Sequence, residues 1–241
     1  TPPAVIAEFK RSSPSAGEIA EPDLSTQVRK YRAGGAVAIS VLTEPTRFDG
    51  SLTDVRAARL AAPLPVLRKD FLVHPAQVIE SRATGADAVL LISAALTELE
   101  LKGMLAVADD LGLDALVETH SEEDLAKVLT TDTGVVGVNA RDLETLELDL
   151  ERALALVPLV PRDRVAVLES GVSTREHVER ALDAGASAVL VGETLMRAPD
   201  PEATIRELRG DRDGPRWARP EPSPTSEDAS ACTAADTFRR C

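Results

Sequence analysis

Apolar positions come in short runs: AVIAEF (4–9), AVAISVL (36–42), PVLRKDF (65–71), ADAVLLI (86–92), LDALVE (113–118), GVVGVN (134–139), RVAVLES (164–170) and SAVLVG (187–192). Each is nearly continuous in Val, Leu, Ile and Ala rather than alternating with polar residues. Such runs predict strands buried on both faces of a parallel sheet. Helical stretches separate them. Ser121 with Asp124 and Ser173 with Glu176 read as capping-box-like helix starts. Gly34, Gly85 and Gly185 read as helix stops in the left-handed conformation, each just ahead of a strand. The phrases GGAVAISVL, GADAVLLI and GASAVLVG echo one another. Eight β-α units at intervals of roughly 20–32 residues predict an α/β fold, a (β/α)8 TIM barrel. A doubly wound open sheet is the alternative, but its glycine-rich dinucleotide fingerprint does not follow the first run.

The pattern stops near residue 210. Residues 211–241 contain no Val, Ile, Leu or Met and hold four of the 16 prolines, a composition that predicts a disordered tail. The expected organisation is one barrel over 1–210, beginning almost directly at the first strand, with 211–241 as a tail. The 241 residues carry 27 Lys+Arg against 40 Asp+Glu, a net charge of −13. That balance argues against nucleic acid or an anionic membrane as partner. It leaves room for a small anionic substrate held by a few local lysines. The apolar runs are far shorter than a membrane span, and no signal peptide opens the chain. The two cysteines, Cys232 and Cys241, lie at the far C-terminus, so no disulfide framework or Cys-rich zinc site is available. A cytoplasmic protein is expected.

In such a barrel the chemistry sits at the C-terminal ends of the strands. Glu8 and Lys10 close the first run and share the inward face of Ile6 by the period of two. Lys69 closes the third, on the face of Leu67 and Phe71. Glu118 closes the fifth, Asn139 the sixth and Glu169-Ser170-Gly171 the seventh; Val191-Gly192-Glu193 ends the eighth. Two lysines and two or three carboxylates would converge on one mouth. A lone Lys or Glu at a strand end is commonly a rim salt bridge, whereas five such positions on separate strands favour a site. Arg68 and Asp70 point away from Lys69 and read as structural pairing behind the barrel. His74, His120 and His177 are scattered without metal-ligand spacing and read as surface residues. The loops ESGVST and VGETLM occupy the places where these barrels build a phosphate cradle from backbone N–H groups. Gly171 and Gly192 would let the backbone approach a ligand, and Ser13 and Ser170 could add hydroxyl donors.

The segments AEFKRSSPSAG (7–17), ISVLTEPTRFDGS (39–51), PVLRKDFLVHPAQVIESRATGADAVLLI (65–92), LVETHSEEDL (116–125), VGVNARDL (136–143), ESGVST (169–174) and VGETLM (191–196) together resemble indole-3-glycerol phosphate synthase of tryptophan biosynthesis. FKRSSPS and LRKDF are specific to that family; ESGVS and VGETLM are shared with other phosphate-binding barrels. The resemblance implies a carboxy-lyase that closes the ring of 1-(2-carboxyphenylamino)-1-deoxyribulose 5-phosphate with loss of CO₂ and water, using no metal or organic cofactor. It implies that Lys69 is the general acid and that Glu118 and Glu8 manage protons. Lys10 would sit at the substrate carboxylate and leaving hydroxyl. Asn139 would orient the substrate, with Arg141 near the anthranilate carboxylate. Phe48, Phe71 and Leu90 would line the aromatic slot, and Ser13, Ser170, Gly171, Gly192 and Glu193 would surround the phosphate. Because a carboxylate repels phosphate, only the backbone N–H of Glu193 is expected to help. A lysine tuned toward neutrality would suit general acid catalysis. The resemblance implies a segment ahead of the first strand that caps the mouth, in a family often monomeric or fused to a neighbouring pathway enzyme, and a monomer or weak oligomer is expected here. A barrel that binds a phosphorylated ligand without turnover is the rival reading, and a related phosphoribosyl isomerase ranks below it.

Overall fold

The computed structural model describes residues 2–211 apart from 16, 20, 21 and 144. Each of the eight apolar runs forms a strand: β1 Ala4–Phe9, β2 Ala38–Leu42, β3 Val66–Lys69, β4 Ala88–Ile92, β5 Asp114–Thr119, β6 Val135–Asn139, β7 Val165–Glu169 and β8 Ala188–Val191. All pair in parallel, in sequence order around a closed barrel, with β1 joined to both β2 and β8. The expected (β/α)8 barrel is therefore the observed fold, and the open sheet is excluded. The proline-rich stretch 212–241 of the expected tail lies outside the described residues.

Alternation along each strand separates two cores. Ile6, Leu67, Leu90, Leu116, Val167 and Leu190 pack with one another inside the lumen. Val5, Ala7, Phe9, Val89, Val117 and Val189 face outward beneath the helices. Because the period is two, the last inward position of a strand projects above the lumen core at the C-terminal mouth. In β1 the inward face continues from Ile6 to Glu8, and in β3 from Leu67 to Lys69.

The helices are α1 Leu24–Gly34, α2 Leu52–Ala61, α3 Pro75–Thr84, α4 Glu98–Asp110, α5 Glu122–Leu129, α6 Leu150–Leu156, α7 Arg175–Ala184, α8 Glu193–Arg197 and α9 Pro201–Arg209. Side chains at Asp23, Ser51, His74, Thr97, Ser121, Asp149, Thr174 and Asp200 accept from first-turn N–H groups and fix where eight of them begin. The start of α7 thus lies one residue later than expected, at Thr174 rather than Ser173. Gly85 and Gly185 are the left-handed stops the sequence predicts, but α1 stops at Gly35, with φ 94°. Gly34 serves a different purpose. A Cβ there would fall 2.8 Å from the Glu202 carbonyl oxygen, so its bare backbone lets α9 pack against α1.

Candidate active site

The mouth of the barrel opens into a cavity of about 430 Å³ bordered by Glu8, Lys10, Lys69, Asn139, Arg141 and the loops after β7 and β8. Lys69 lies at its centre. Its Nζ is 3.8 Å from Glu8 Oε2, 3.7 Å from Glu118 Oε2 and 3.7 Å from Glu169 Oε2. These carboxyls come from β1, β5 and β7, so barrel closure gathers residues that are distant in sequence. Lys10 Nζ lies 2.9 Å from Glu8 Oε1, giving Glu8 a lysine on each oxygen. The end of β1 is pinned from behind by the buried Tyr31 of α1, whose hydroxyl donates to the Glu8 carbonyl at 3.1 Å.

The three buried carboxyls differ in charge. For Glu8, burial pushes the pKa up, but Lys10 and Lys69 outweigh it and the net shift is downward. For Glu118, burial also acts upward, and Lys69, His120 and Asn139 together hold the pKa down at about 2. Glu169 goes the other way: burial and the neighbouring Glu118 charge raise it well above the carboxylate range. Like charges at close range cannot both ionise cheaply, so Glu169 keeps a proton while Glu118 does not. Burial lowers the tendency of Lys69 to carry charge, yet Glu118, Glu8 and Glu169 raise its pKa above the usual value. The expected tuning toward neutrality is not found. The ionised Glu8 and Glu118 stand beside the ammonium and keep it protonated.

Space is as specific as charge. Gly137 is the inward position of β6 beside Glu169, and a Cβ there would collide with Glu169 Oε1. Gly192 stands in the same relation to Glu8 Oε1, with Lys10 Nζ 3.1 Å from the same point. Asn139 Oδ1 accepts from the Arg141 backbone N–H at 2.9 Å, while the Arg141 guanidinium donates to the Leu146 carbonyl at 2.9 Å. Leu146 itself has φ 62°, a strained value for a leucine, within the loop that Arg141 braces.

Phe48 and Phe71 face one another across the rim with ring centroids 6.3 Å apart. Leu42, Leu143, Leu146 and Leu148 complete the apolar side of the cavity. Leu90 is not among the lining residues; it is buried in the lumen core below the mouth. Ser13, Ser170, Gly171, Gly192 and Glu193 also border the cavity. Ser170 and Gly171 turn sharply after β7, with φ 64° and 75°. The Glu193 carboxylate pairs with Arg197 at 3.0 Å, which neutralises the charge that would oppose a phosphate.

Three residues of this site carried no role in the sequence reading. Glu169 was visible as a strand end, and its inward period with Val167 was the signal for a third carboxyl. Gly137, a glycine among valines in a buried strand, signals close approach of another group. His120 corrects the expectation of a surface histidine: it is 8 % exposed, and its Nε2 lies 3.1 Å from Glu118 Oε1. His74 is exposed as expected and caps α3. Among the described residues no group of three or more His, Cys, Asp or Glu could hold a metal ion. None of their helices is long and apolar enough to cross a membrane.

Comparison with known proteins gives this geometry a context. The family model for indole-3-glycerol phosphate synthase matches residues 1–208. An indole-3-glycerol phosphate synthase of a Nocardioides species is 51% identical over 208 residues, covering 86% of this chain and 80% of the relative. That of Kineococcus radiotolerans is 51% identical over 205 residues, covering 85% of this chain and 75% of the relative. Among solved structures, a 3-hexulose-6-phosphate synthase superposes with a TM-score of 0.67 at 16% identity, covering 86% of this chain and 98% of the other. The thiamine phosphate pyrophosphorylase of Pyrococcus furiosus gives 0.64 at 17% identity, covering 86% and 94%. At these identities the structural likeness speaks to the barrel alone.

Proposed function

The chain belongs to the indole-3-glycerol phosphate synthase family, and from that premise we propose that it converts 1-(2-carboxyphenylamino)-1-deoxyribulose 5-phosphate to indole-3-glycerol phosphate, CO₂ and water. One observation carries the reading: a lysine at the mouth among three carboxyls from three strands, two of them ionised, beside an aromatic rim. The substrate's aryl ring lies against Phe48 and Phe71, and its phosphate against Ser13, Ser170, Gly171, Gly192 and the backbone of Glu193. Asn139 and Arg141 orient the anthranilate end, and Lys10 meets the substrate carboxylate.

Ring closure joins an aryl carbon to the ribulose carbonyl carbon, and the carbonyl π pair moves to oxygen as Lys69 delivers its proton there. Loss of CO₂ returns the carbon–carboxyl bond pair toward the adjacent iminium. Departure of the hydroxyl as water then needs one proton delivered and one removed, a task for the Lys10–Glu8 pair and ionised Glu118. The protein contributes mainly orientation and placed protons. The net charge of −13 supports a small-molecule substrate rather than nucleic acid or membrane. We place the protein in the cytoplasm as a monomer or weak oligomer.

The test is a fluorescence assay for the indole product with the purified chain and the carboxyphenylamino sugar phosphate. Turnover is expected. Saturable binding of the substrate with no product at any enzyme concentration would overturn the reading in favour of a non-catalytic ligand-binding barrel.

A further inference from the structure

His120 is a buried imidazole at the turn between β5 and α5, two residues beyond Glu118, and the chemistry above does not use it. Its placement is fixed from the helix side. Ser121 caps α5 by accepting from the Asp124 N–H, and the Asp124 carboxylate accepts from the His120 backbone N–H at 3.2 Å. The same Asp124 oxygen lies 4.0 Å from His120 Nδ1, and Nε2 points into the barrel, 3.1 Å from Glu118 Oε1. The charged groups facing the ring are thus Glu118 from β5 and Asp124 from α5. Lys127 of α5 is turned away, its ammonium donating to the Ser93 and Leu96 carbonyls.

The two oxygens of Glu118 therefore have different partners, Lys69 on Oε2 and His120 on Oε1. The contact at Oε1 is close but not aligned as a hydrogen bond, and since an ionised carboxylate can only accept, it is a protonated Nε2 that a small ring rotation would turn onto it. During ring closure Lys69 gives up its proton, and its attraction for Glu118 disappears at that moment. The imidazole contact does not depend on that proton. We propose that His120 is a positioning residue for the reaction, fixing the Glu118 carboxylate from behind so that its orientation persists while Lys69 changes charge. This rests on the reading of Glu118 as a proton-handling group.

The experiment compares His120→Leu, His120→Gln, Glu118→Gln and the double variant His120→Leu/Glu118→Gln, by kcat, KM, pH profile and thermal melting. Leu removes the donor, whereas Gln can return an N–H near the Nε2 position. His120→Leu is expected to lower kcat roughly 10-fold, the scale of one hydrogen bond to a charged group, with KM little changed. Its acid limb should move toward alkaline pH by about one pH unit, because ionised Glu118 has lost a stabilising partner. His120→Gln should recover most of kcat, and the double variant should be no slower than Glu118→Gln. If His120→Leu does not fold, His120→Gln against His120→Asn, whose amide falls one carbon short of Glu118, makes the same comparison. Equal activity in the donor and non-donor variants with an unmoved acid limb, or an additional loss in the double variant, overturns the proposal. Full activity in Glu118→Gln would instead overturn the reading of Glu118 beneath it.

Discussion

Arg68 and Lys69 are consecutive residues of β3, both cationic and both largely buried, yet their surroundings are opposite. Arg68 points outward and is saturated: Asp70 at 2.9 Å, Glu80 at 3.0 Å, the Gln77 carbonyl and Ser81 hydroxyl at 3.1 Å, and Thr43 at 3.3 Å. Lys69 points inward, and its carboxylate neighbours stand back at 3.7–3.8 Å, with open cavity beside them. The planar guanidinium offers five donors and is suited to satisfying a fixed set of acceptors. The single ammonium is a transferable proton on a flexible stem. One strand thus carries a structural cation on one face and a reactive one on the other, separated only by the alternation of side chains.

The largest expected effect breaks the inward half of this comparison. Lys69→Ala should lower kcat by about 10²–10⁴-fold, the usual range for one acid–base group, measured against the folded fraction by circular dichroism. Breaking the outward half should show in stability instead. Arg68→Ala leaves Asp70 and part of Glu80 without their cation and should cost roughly 3–5 kcal/mol in denaturant unfolding, the range for a broken buried pair. Its folded fraction should keep kcat within several-fold of the parent.

Glu169 sharpens the contrast, since its buried carboxyl beside Glu118 carries a stability cost at the reactive face. Its folded pKa is raised, so the folded state retains a proton that the unfolded chain loses near the ordinary carboxylate pKa. Below that pH both states are protonated and Glu169 has no effect. As pH rises through the window up to its folded pKa, the unfolded state is increasingly favoured. Glu8 and Glu118, with lowered pKa values, act in the opposite sense: they stabilise above the unfolded value and lose this as pH falls through their folded pKa. Glu169→Gln should therefore raise Tm at neutral pH, with the gain vanishing in acid. A pH series of melting curves checks the sign. Gly137→Ala attacks the same carboxyl through space. Its methyl must displace Glu169 Oε1, with an overpacking cost of about 1–3 kcal/mol and a lowered kcat. The smallest effect belongs to Glu193→Ser, which removes an exposed i,i+4 pair with Arg197. Stability should change by less than about 0.5 kcal/mol, and KM should fall slightly as Arg197 is freed toward the phosphate.

The barrel was legible because buried parallel strands write themselves as continuous apolar runs, and all eight such runs are strands. The inward direction of Glu8 and Lys69 followed from the same periodicity, as did the outward role of Arg68. Boundaries were less certain where two neighbouring residues could do one job: Gly35 rather than Gly34 takes the left-handed turn, and Thr174 rather than Ser173 caps α7. The electrostatics were harder to read. Whether Lys69 is lowered or raised depends on how many carboxyls the closed barrel brings to it, and that number comes from strands far apart in sequence, from Glu8 of β1 to Glu169 of β7. Leu90 lies on the inward face of β4 as the pattern implies, but alternation cannot say at which height of the lumen a side chain sits. His120 is hidden from the sequence for a local reason: a histidine following a strand resembles a loop residue until the α5 cap holds it against Glu118.

The most direct test of the central claim is Lys69→Arg, because it keeps the positive charge among the three carboxyls but withholds a transferable proton at any working pH. If Lys69 serves as the proton donor, single-turnover ring closure in the Arg variant should be nearly as slow as in Lys69→Ala, despite the retained charge. Recovery of most of the parent rate by Arg would contradict the account and reduce Lys69 to an electrostatic anchor.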